Sequence, residues 1–135
     1  MLRQDDFQKG QLVLYAWQYS HEYGGPKPAI MVMNAIMNRV KVGQGSLLEV
    51  LSRIPKYAAE YKQPDGFPSI WDQTLVRLLH EVESVFDNSG KDITDGALFW
   101  CDLRRVETEW FRNTILGNPT QHPRVADFNS LTFFR

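Results

Sequence analysis

Glu22 lies in the stretch YSHEYGGPKP (residues 19–28), where an apolar segment ends and two glycines and two prolines follow. A glutamate that is poorly hydrated and lies beside aromatic side chains has its neutral form favoured, so it can act as a general acid near neutral pH. Gly24 and Gly25 place no side chain beside the carboxylate and would let a bulky substrate approach closely. The alternative is an ordinary solvated residue at a helix end, because most glutamates are exposed. Spacing alone leaves both interpretations open.

Other reactive residue types do not form a recognisable site. The dipeptide HE at residues 21–22 would need a second histidine where Gly25 stands to make a metalloprotease motif. His80 and His122 are isolated and no Cys/His cluster exists, so we expect no metal and no cofactor. Cys101 is the only cysteine, which excludes an internal disulfide. It is interpreted as a small core residue, with a thiol nucleophile as the alternative.

Two helices are predicted on either side of this loop. Apolar residues recur at helical spacing over residues 5–22, and Asp5 and Asp6 suit the positive end of the helix dipole. Residues 29–40, AIMVMNAIMNRV, are apolar nearly all round, which predicts a central buried helix that Pro28 can begin. Asn34 and Asn38 lie four residues apart on this helix, and we expect them to bond to loop backbone.

The rest of the chain predicts shorter elements. Capping boxes at residues 46–49 (SLLE) and 69–72 (SIWD) indicate two helices, the first ended by Pro55 and the second ended by residues 88–90 (NSG). Leu75, Leu78, Leu79, Val82 and Phe86 give the second an apolar stripe, and residues 55–69 are predicted as a long loop. An extended segment is expected at residues 97–100 after an Asp-Gly turn, a helix at 107–115 and a strand at 131–134.

Composition bounds the classes of protein that this chain can represent. Its 135 residues suit one domain spanning 1–135, and 43% hydrophobic with 23% charged residues indicates an ordinary globule. A formal charge of −1 gives no basic excess for nucleic acid, and no apolar run is long enough to insert into a membrane. The N-terminal MLRQDDFQKG lacks an apolar core of the kind that directs export.

Three segments resemble the spore-cortex-lytic (SleB-type) cell-wall hydrolases. The first is Glu22 with its glycine loop and a buried helix ending NRVK (residues 38–41), and the second is residues 50–57, where a proline precedes an aromatic residue. The third and most specific is DITDGALFW (residues 92–100), which is close to an Asp-Pro-Thr…Ala-Leu-Tyr-Tyr element of that family. Trp110 and an aromatic strand at residues 131–134 follow in the family's order, so the likeness runs from about residue 12 to the end.

The resemblance implies a mainly α (α+β), lysozyme-like domain that cleaves peptidoglycan between its two sugars, with Glu22 as the catalytic acid. Such enzymes act as lytic transglycosylases, in which the sugar's own 6-hydroxyl closes a 1,6-anhydro ring, or as muramidases. A hydrolase would need a second acid, for which Asp95 and Asp102 are the candidates. The chain departs from the family in the loop after Glu22, which is shorter and has a glycine in place of a second acid, and at Cys101 and Asp102, which replace Asn-Pro.

Substrate-binding residues are expected beside that acid. Tyr23 and Trp110 could stack on sugar rings or pack into the core. Alternation along a strand lets at most one of Phe99 and Trp100 face a cleft, and Trp100 is the predicted one. Asp102 is expected to bond sugar hydroxyls or to cap the following turn.

The expected partners are peptidoglycan glycan strands and other virion proteins, with no nucleic acid and no membrane insertion. Small size and the lack of an export signal indicate a monomeric phage or prophage lysin made in the cytoplasm, which reaches the wall through a holin or on the virion. The alternative is a non-enzymatic phage structural or wall-binding module with a degenerate lysozyme-like fold.

Overall fold

The computed structural model describes residues 4–57, 72–87, 89–106 and 108–135. The helices are α1 (Gln4–Tyr23), α2 (Pro26–Lys41), α3 (Leu47–Tyr57), α4 (Gln73–Phe86) and α5 (Glu109–Phe111), which continues as a π-helical segment, Arg112–Leu116. The strands are β1 (Phe99–Asp102), β2 (Arg124–Phe128) and β3 (Leu131–Phe134). The fold is therefore mainly helical with a small antiparallel sheet, as predicted.

The described residues group into two compact units. Unit 1 contains residues 4–33 and the described part of 72–92, and unit 2 contains residues 34–57 and the described part of 93–135. In unit 1, α1 packs against α4. Lys9 binds Glu83 across this pair at 2.8 Å, and its ammonium group lies 5.2 Å from the centre of the Phe86 ring.

Helix α2 begins at Pro26, three residues before the predicted stretch, since a proline is tolerated in a first helical turn. Residues 31–39 are all buried, which confirms the prediction from their apolar pattern. The two asparagines also behave as expected within unit 2. The Oδ1 atom of Asn34 accepts a bond from the Ile93 N–H at 3.2 Å, and Nδ2 of Asn38 donates to the Ala97 carbonyl at 3.0 Å.

The capping box predicted at the start of α3 is confirmed. The Ser46 N–H donates to Glu49 Oε1, and the Glu49 N–H donates to Ser46 Oγ, both at 3.2 Å. The predicted end at Pro55 is wrong, because α3 continues to Tyr57. A proline lacks the N–H that would bond the carbonyl four residues earlier, so α3 continues past residue 55 with one helical hydrogen bond fewer.

Helix α4 starts differently from the prediction. Its N-cap is Asp72, whose Oδ1 accepts the N–H groups of Thr74 and Leu75 at 2.8 and 3.1 Å. The prediction placed Asp72 at the third helical position of a capping box that begins at residue 69. Residues 69–71 lie outside the described part of the chain. Most of the predicted loop 55–69 also lies outside it. The predicted stripe is right at Leu78 but not at Leu79, which is 48% exposed.

The sheet of unit 2 has the order β1-β3-β2, with both pairings antiparallel. The expected terminal strand is β3, and β1 starts two residues later than expected, at Phe99. Strand β2 was not predicted. Its hairpin to β3 turns at residues 129–130, where Asn129 has a φ of 55°, and asparagine tolerates this left-handed conformation better than most residues do.

Candidate functional site

Glu22 is exposed in the last turn of α1. It precedes Tyr23, whose ring is half-buried and stacks on Tyr19 with centroids 6.3 Å apart and planes 11° from parallel. Tyr19 is in turn bonded to Tyr15 through their hydroxyl oxygens at 3.1 Å. These tyrosines recur every four residues and therefore form a ladder along one face of α1. The poor hydration expected around Glu22 is not observed.

The glycines after Glu22 form the junction between α1 and α2. Gly24 and Gly25 have φ values of 86° and 92°, a region that only glycine adopts without strain. The Gly24 N–H closes the helix by donating to the Ser20 carbonyl at 3.0 Å. A methyl group added at either glycine would meet no atom within 4 Å. Open space therefore lies beside the backbone that follows the acid.

A second group of side chains connects the end of α1 to the start of α4 within unit 1. Trp17 Nε1 donates to Asp72 Oδ2 at 3.2 Å, and the Trp17 ring stacks on His21 with centroids 5.7 Å apart. The pKa of Asp72 is lowered chiefly because its carboxylate accepts the Leu75 N–H, and also because it accepts from Trp17. The sequence gives no signal for this contact, since its partners lie 55 residues apart.

Two of the predicted sugar-binding residues are buried in unit 2. Trp100 is 3% exposed and pairs with Phe133 of the neighbouring strand, which favours the core-packing alternative for its ring. Asp102 is 0% exposed and bonds Arg104 and Arg105 at 2.8 and 3.2 Å through Oδ2. Its Oδ1 accepts a hydrogen bond from the Arg104 N–H at 2.9 Å. Asp102 therefore caps the following turn, which was the alternative to bonding sugar hydroxyls.

Trp110 and Phe99 line a cavity of about 370 Å³ in unit 2. Their ring centroids are 6.2 Å apart and their planes are tilted by 58°. The cavity is lined by Arg39, Gln44, Val50, Arg53, Phe99 and Trp110. Phe99, rather than the predicted Trp100, is thus the β1 ring at the cavity. The sequence signal that could have identified Arg39 is an arginine within a helix that is otherwise apolar and predicted to be buried.

Arg39 is fixed among aromatic rings and is only 4% exposed. Its Nε donates to the Leu98 carbonyl, and its guanidinium carbon lies 4.8 Å from the Phe99 centroid and 5.3 Å from that of Trp100. A guanidinium over a ring face is attracted by the ring quadrupole. Arg39 therefore contributes a buried guanidinium group to the lining of the cavity.

The remaining reactive residues do not form a site. Cys101 is 0% exposed and packs with Phe111, Ile115 and Phe134, so its thiol lacks the access that a nucleophile needs. In the part of the chain that the structure describes, no three His, Cys, Asp or Glu side chains come together as metal ligands. No helix among the described residues is long and apolar enough to cross a membrane.

The predicted site residues thus fall into two groups. Glu22 and Tyr23 lie in unit 1 at the end of α1, while Trp100, Asp102 and Trp110 lie in unit 2. Searches against protein-family models, curated proteins and solved structures give no match to this chain.

Proposed function

We propose that this protein cleaves the glycan strands of peptidoglycan with Glu22 as the general acid. The observation that carries the proposal is the setting of Glu22, an exposed carboxyl group in the last turn of a helix. Gly24 and Gly25 follow it with nothing within 4 Å of the position that a side chain would take. A long polymer could therefore reach this acid without a steric barrier from the residues just after it.

The reaction needs one proton donor. Glu22 would protonate the oxygen that links the two sugars, so that the bond from this oxygen to the anomeric carbon breaks and the leaving sugar departs as an alcohol. The 6-hydroxyl of the other sugar then attacks the anomeric carbon and closes a 1,6-anhydro ring. Its proton returns to the Glu22 carboxylate, which restores the acid. The products balance the substrate without added water.

Burial of Asp102 favours this route over hydrolysis. A hydrolase needs a second carboxylate that can activate water or attack the sugar. Asp102 is 0% exposed and bound to two arginines, which leaves it poorly suited to that role. Asp95, the other candidate, is 75% exposed and forms only a surface pair with Arg135 at 3.2 Å, so analysis of the products decides whether it takes part. The proposal is therefore a lytic transglycosylase in preference to a muramidase.

Because Glu22 is exposed, the bound substrate itself has to shield the carboxyl group from water. A general acid must carry its proton when the bond breaks, whereas water around a carboxyl group favours the charged form. A sugar ring that covers the carboxyl group would remove water from it and favour the neutral form. Tyr23 is the adjacent residue whose half-buried ring could support such a sugar.

The test is Glu22→Gln, assayed on purified sacculi by zymography and by mass spectrometry of the products. Loss of the proton donor should lower the rate by about 10²–10⁴-fold while melting stays unchanged. Glu83→Gln is the matched control, because it removes an exposed glutamate of unit 1 that only pairs with Lys9 at the surface.

Each outcome of this test separates the candidates. Products ending in anhydro sugars support the transglycosylase, and reducing ends would instead indicate a muramidase. A folded Glu22→Gln protein that still cuts sacculi would refute the role of Glu22. If wild type binds sacculi but never cuts them, the non-enzymatic wall-binding module is the better description.

A further inference from the structure

The cavity of unit 2 has the size and lining of a site for one small ring-shaped ligand. Its volume of about 370 Å³ falls within the range of about 300–1,000 Å³ typical of small-molecule sites. Among the described residues, four parts of the chain line it: the end of α2 with the turn after it, α3, β1 and α5. Because the walls come from different elements, its shape is set by the fold of unit 2 as a whole.

Two rings give the cavity flat apolar surfaces. Phe99 and Trp110 are both half-buried and rest on the core cluster that contains Cys101 and Phe111. Contact with the core supports both rings, and both side chains line the cavity. Aromatic faces of this kind suit the apolar face of a sugar ring or another flat ligand.

Two arginines are among the residues that line the same cavity. Arg39 is held by the Leu98 carbonyl and by the Phe99 ring. Arg53 is 46% exposed and donates through Nη1 to the Gln44 carbonyl. Among the described residues that line the cavity, two are cationic and none is acidic. Guanidinium groups bind carboxylates with paired, directional hydrogen bonds.

The carboxylate of Glu49, which pairs with Arg53, leaves the Arg53 guanidinium open to another partner. Glu49 Oε2 lies 3.6 Å from Arg53 Nη2, and the two side chains are 60% and 46% exposed, so the pair is a weak surface interaction. Glu49 is also engaged at the start of α3, where Oε1 accepts the Ser46 N–H. Arg53 can therefore share its charge with a bound ligand.

We propose that this cavity binds a sugar ring that carries a carboxylate, and that the ligand in a glycan strand is the muramic acid unit. This inference rests on the proposed function, because peptidoglycan is the substrate that brings such a ring to the protein. Of the two alternating sugars, N-acetylmuramic acid bears a lactyl carboxyl group and N-acetylglucosamine bears none. The carboxylate that Arg53 would bind is either the lactyl group itself or one on the attached stem peptide.

The experiment is an NMR titration of the whole chain that follows the Trp110 indole N–H signal. N-acetylmuramic acid should bind about 10-fold more tightly than N-acetylglucosamine, a preference typical of one charge-assisted pair at a half-exposed site. Muramoyl dipeptide, whose lactyl group is amidated and whose carboxylate is on the peptide, tells the two carboxylate sources apart. The preference should fall as ionic strength rises.

Variants assign the preference to particular side chains. Arg53→Gln should bind both sugars equally, Arg53→Lys should keep part of the preference, and Trp110→Leu should weaken both sugars alike. Arg77→Gln is the matched control, since Arg77 also pairs with a glutamate four residues away and is 59% exposed, but lies on α4. Melting curves show whether each variant is folded.

The outcomes separate this inference from the proposed function. Equal binding of both sugars by the wild type, or an unchanged preference in a folded Arg53→Gln protein, would overturn the inference even if sacculi are cut. Tighter binding of adenosine monophosphate than of either sugar would assign the cavity to a nucleotide and overturn it too. A wild type that prefers the acidic sugar but never cuts sacculi would refute only the catalytic proposal.

Discussion

Asp102→Asn distinguishes a folding role from the sugar-binding role that the sequence predicted. The carboxylate is 0% exposed at the end of β1. Its Oδ1 accepts from the backbone N–H and Nε of Arg104 at 2.9 and 3.1 Å. Its Oδ2 accepts from Arg104 Nη2 at 2.8 Å and Arg105 Nη2 at 3.2 Å. The substitution keeps one oxygen and replaces the other with an NH₂ group.

The expected cost follows from the bonds at Oδ2. An NH₂ group in that position would face two guanidinium donors and could accept from neither. Hydrogen bonds to charged groups contribute about 1.5–3 kcal/mol each, and the lower end applies because the Arg104 side chain is 67% exposed and can rehydrate. We expect a loss of about 3 kcal/mol in unfolding free energy, which corresponds to roughly 10 °C in Tm for a chain of this size.

The assay is thermal and urea unfolding followed by circular dichroism, with sugar binding measured on the same samples. Asp127→Asn is the matched control, because Asp127 bonds Arg124 at 2.9 Å with both side chains 53% exposed. A surface pair of this kind contributes less than about 1 kcal/mol, so the control should melt close to wild type. Wild-type melting of Asp102→Asn combined with weaker sugar binding would refute the folding role.

Two further predictions concern backbone space and a helix cap. Gly117→Ala should destabilise the protein by about 1–3 kcal/mol, because its Cβ would lie 2.6 Å from the Asn113 carbonyl oxygen. Gly10→Ala, where nothing lies within 4 Å of the added Cβ, should instead raise the unfolding free energy in urea by about 0.5–1 kcal/mol, because alanine favours a helix more than glycine does. Equal effects of the two substitutions would contradict this geometry. The pKa of Asp72 is lowered mainly by the bond from the Leu75 N–H. The Asp72 carboxylate therefore stabilises the folded protein above about pH 4, and this stabilisation is lost as pH falls through the folded-state pKa. The unfolding free energy of wild type relative to Asp72→Asn should therefore decline from pH 5 to pH 2, and a constant difference would contradict this.

Local patterns predicted the features that depend on neighbouring residues. The Ser46 capping box and the buried helix α2 were predictable because their partners lie within a few positions along the chain. The bonds of Asn34 and Asn38 to loop backbone followed from the general need of buried amides for partners. The particular carbonyl or N–H group that each would bond could not be read from the sequence.

Features that depend on distant contacts were not predicted. Strand β2 is half-buried and mixed in composition, and it is stabilised by pairing with β3. The Trp17–Asp72 bond joins residues 55 positions apart. The cavity brings together Arg39 and Arg53 from separate helices, and tertiary packing, which leaves no local pattern, determines this arrangement. Glu22 could be proposed as a candidate acid from the sequence because the glycine junction that follows it is a local signal.

The position of β3 in the sheet has a consequence for synthesis of the chain. Strand β3 is the middle strand, and both β1 and β2 pair with it. The ribosome makes β1 about thirty residues before its partner β3. Until β3 has been made, the backbone groups of β1 and the Trp100 ring lack the partners that they have in the sheet. Any chain that terminates before Leu131 would lack both ladders. Unit 2 therefore cannot complete its sheet gradually during synthesis, and the unpaired edge of β1 can pair wrongly with a neighbouring chain until β3 has been made.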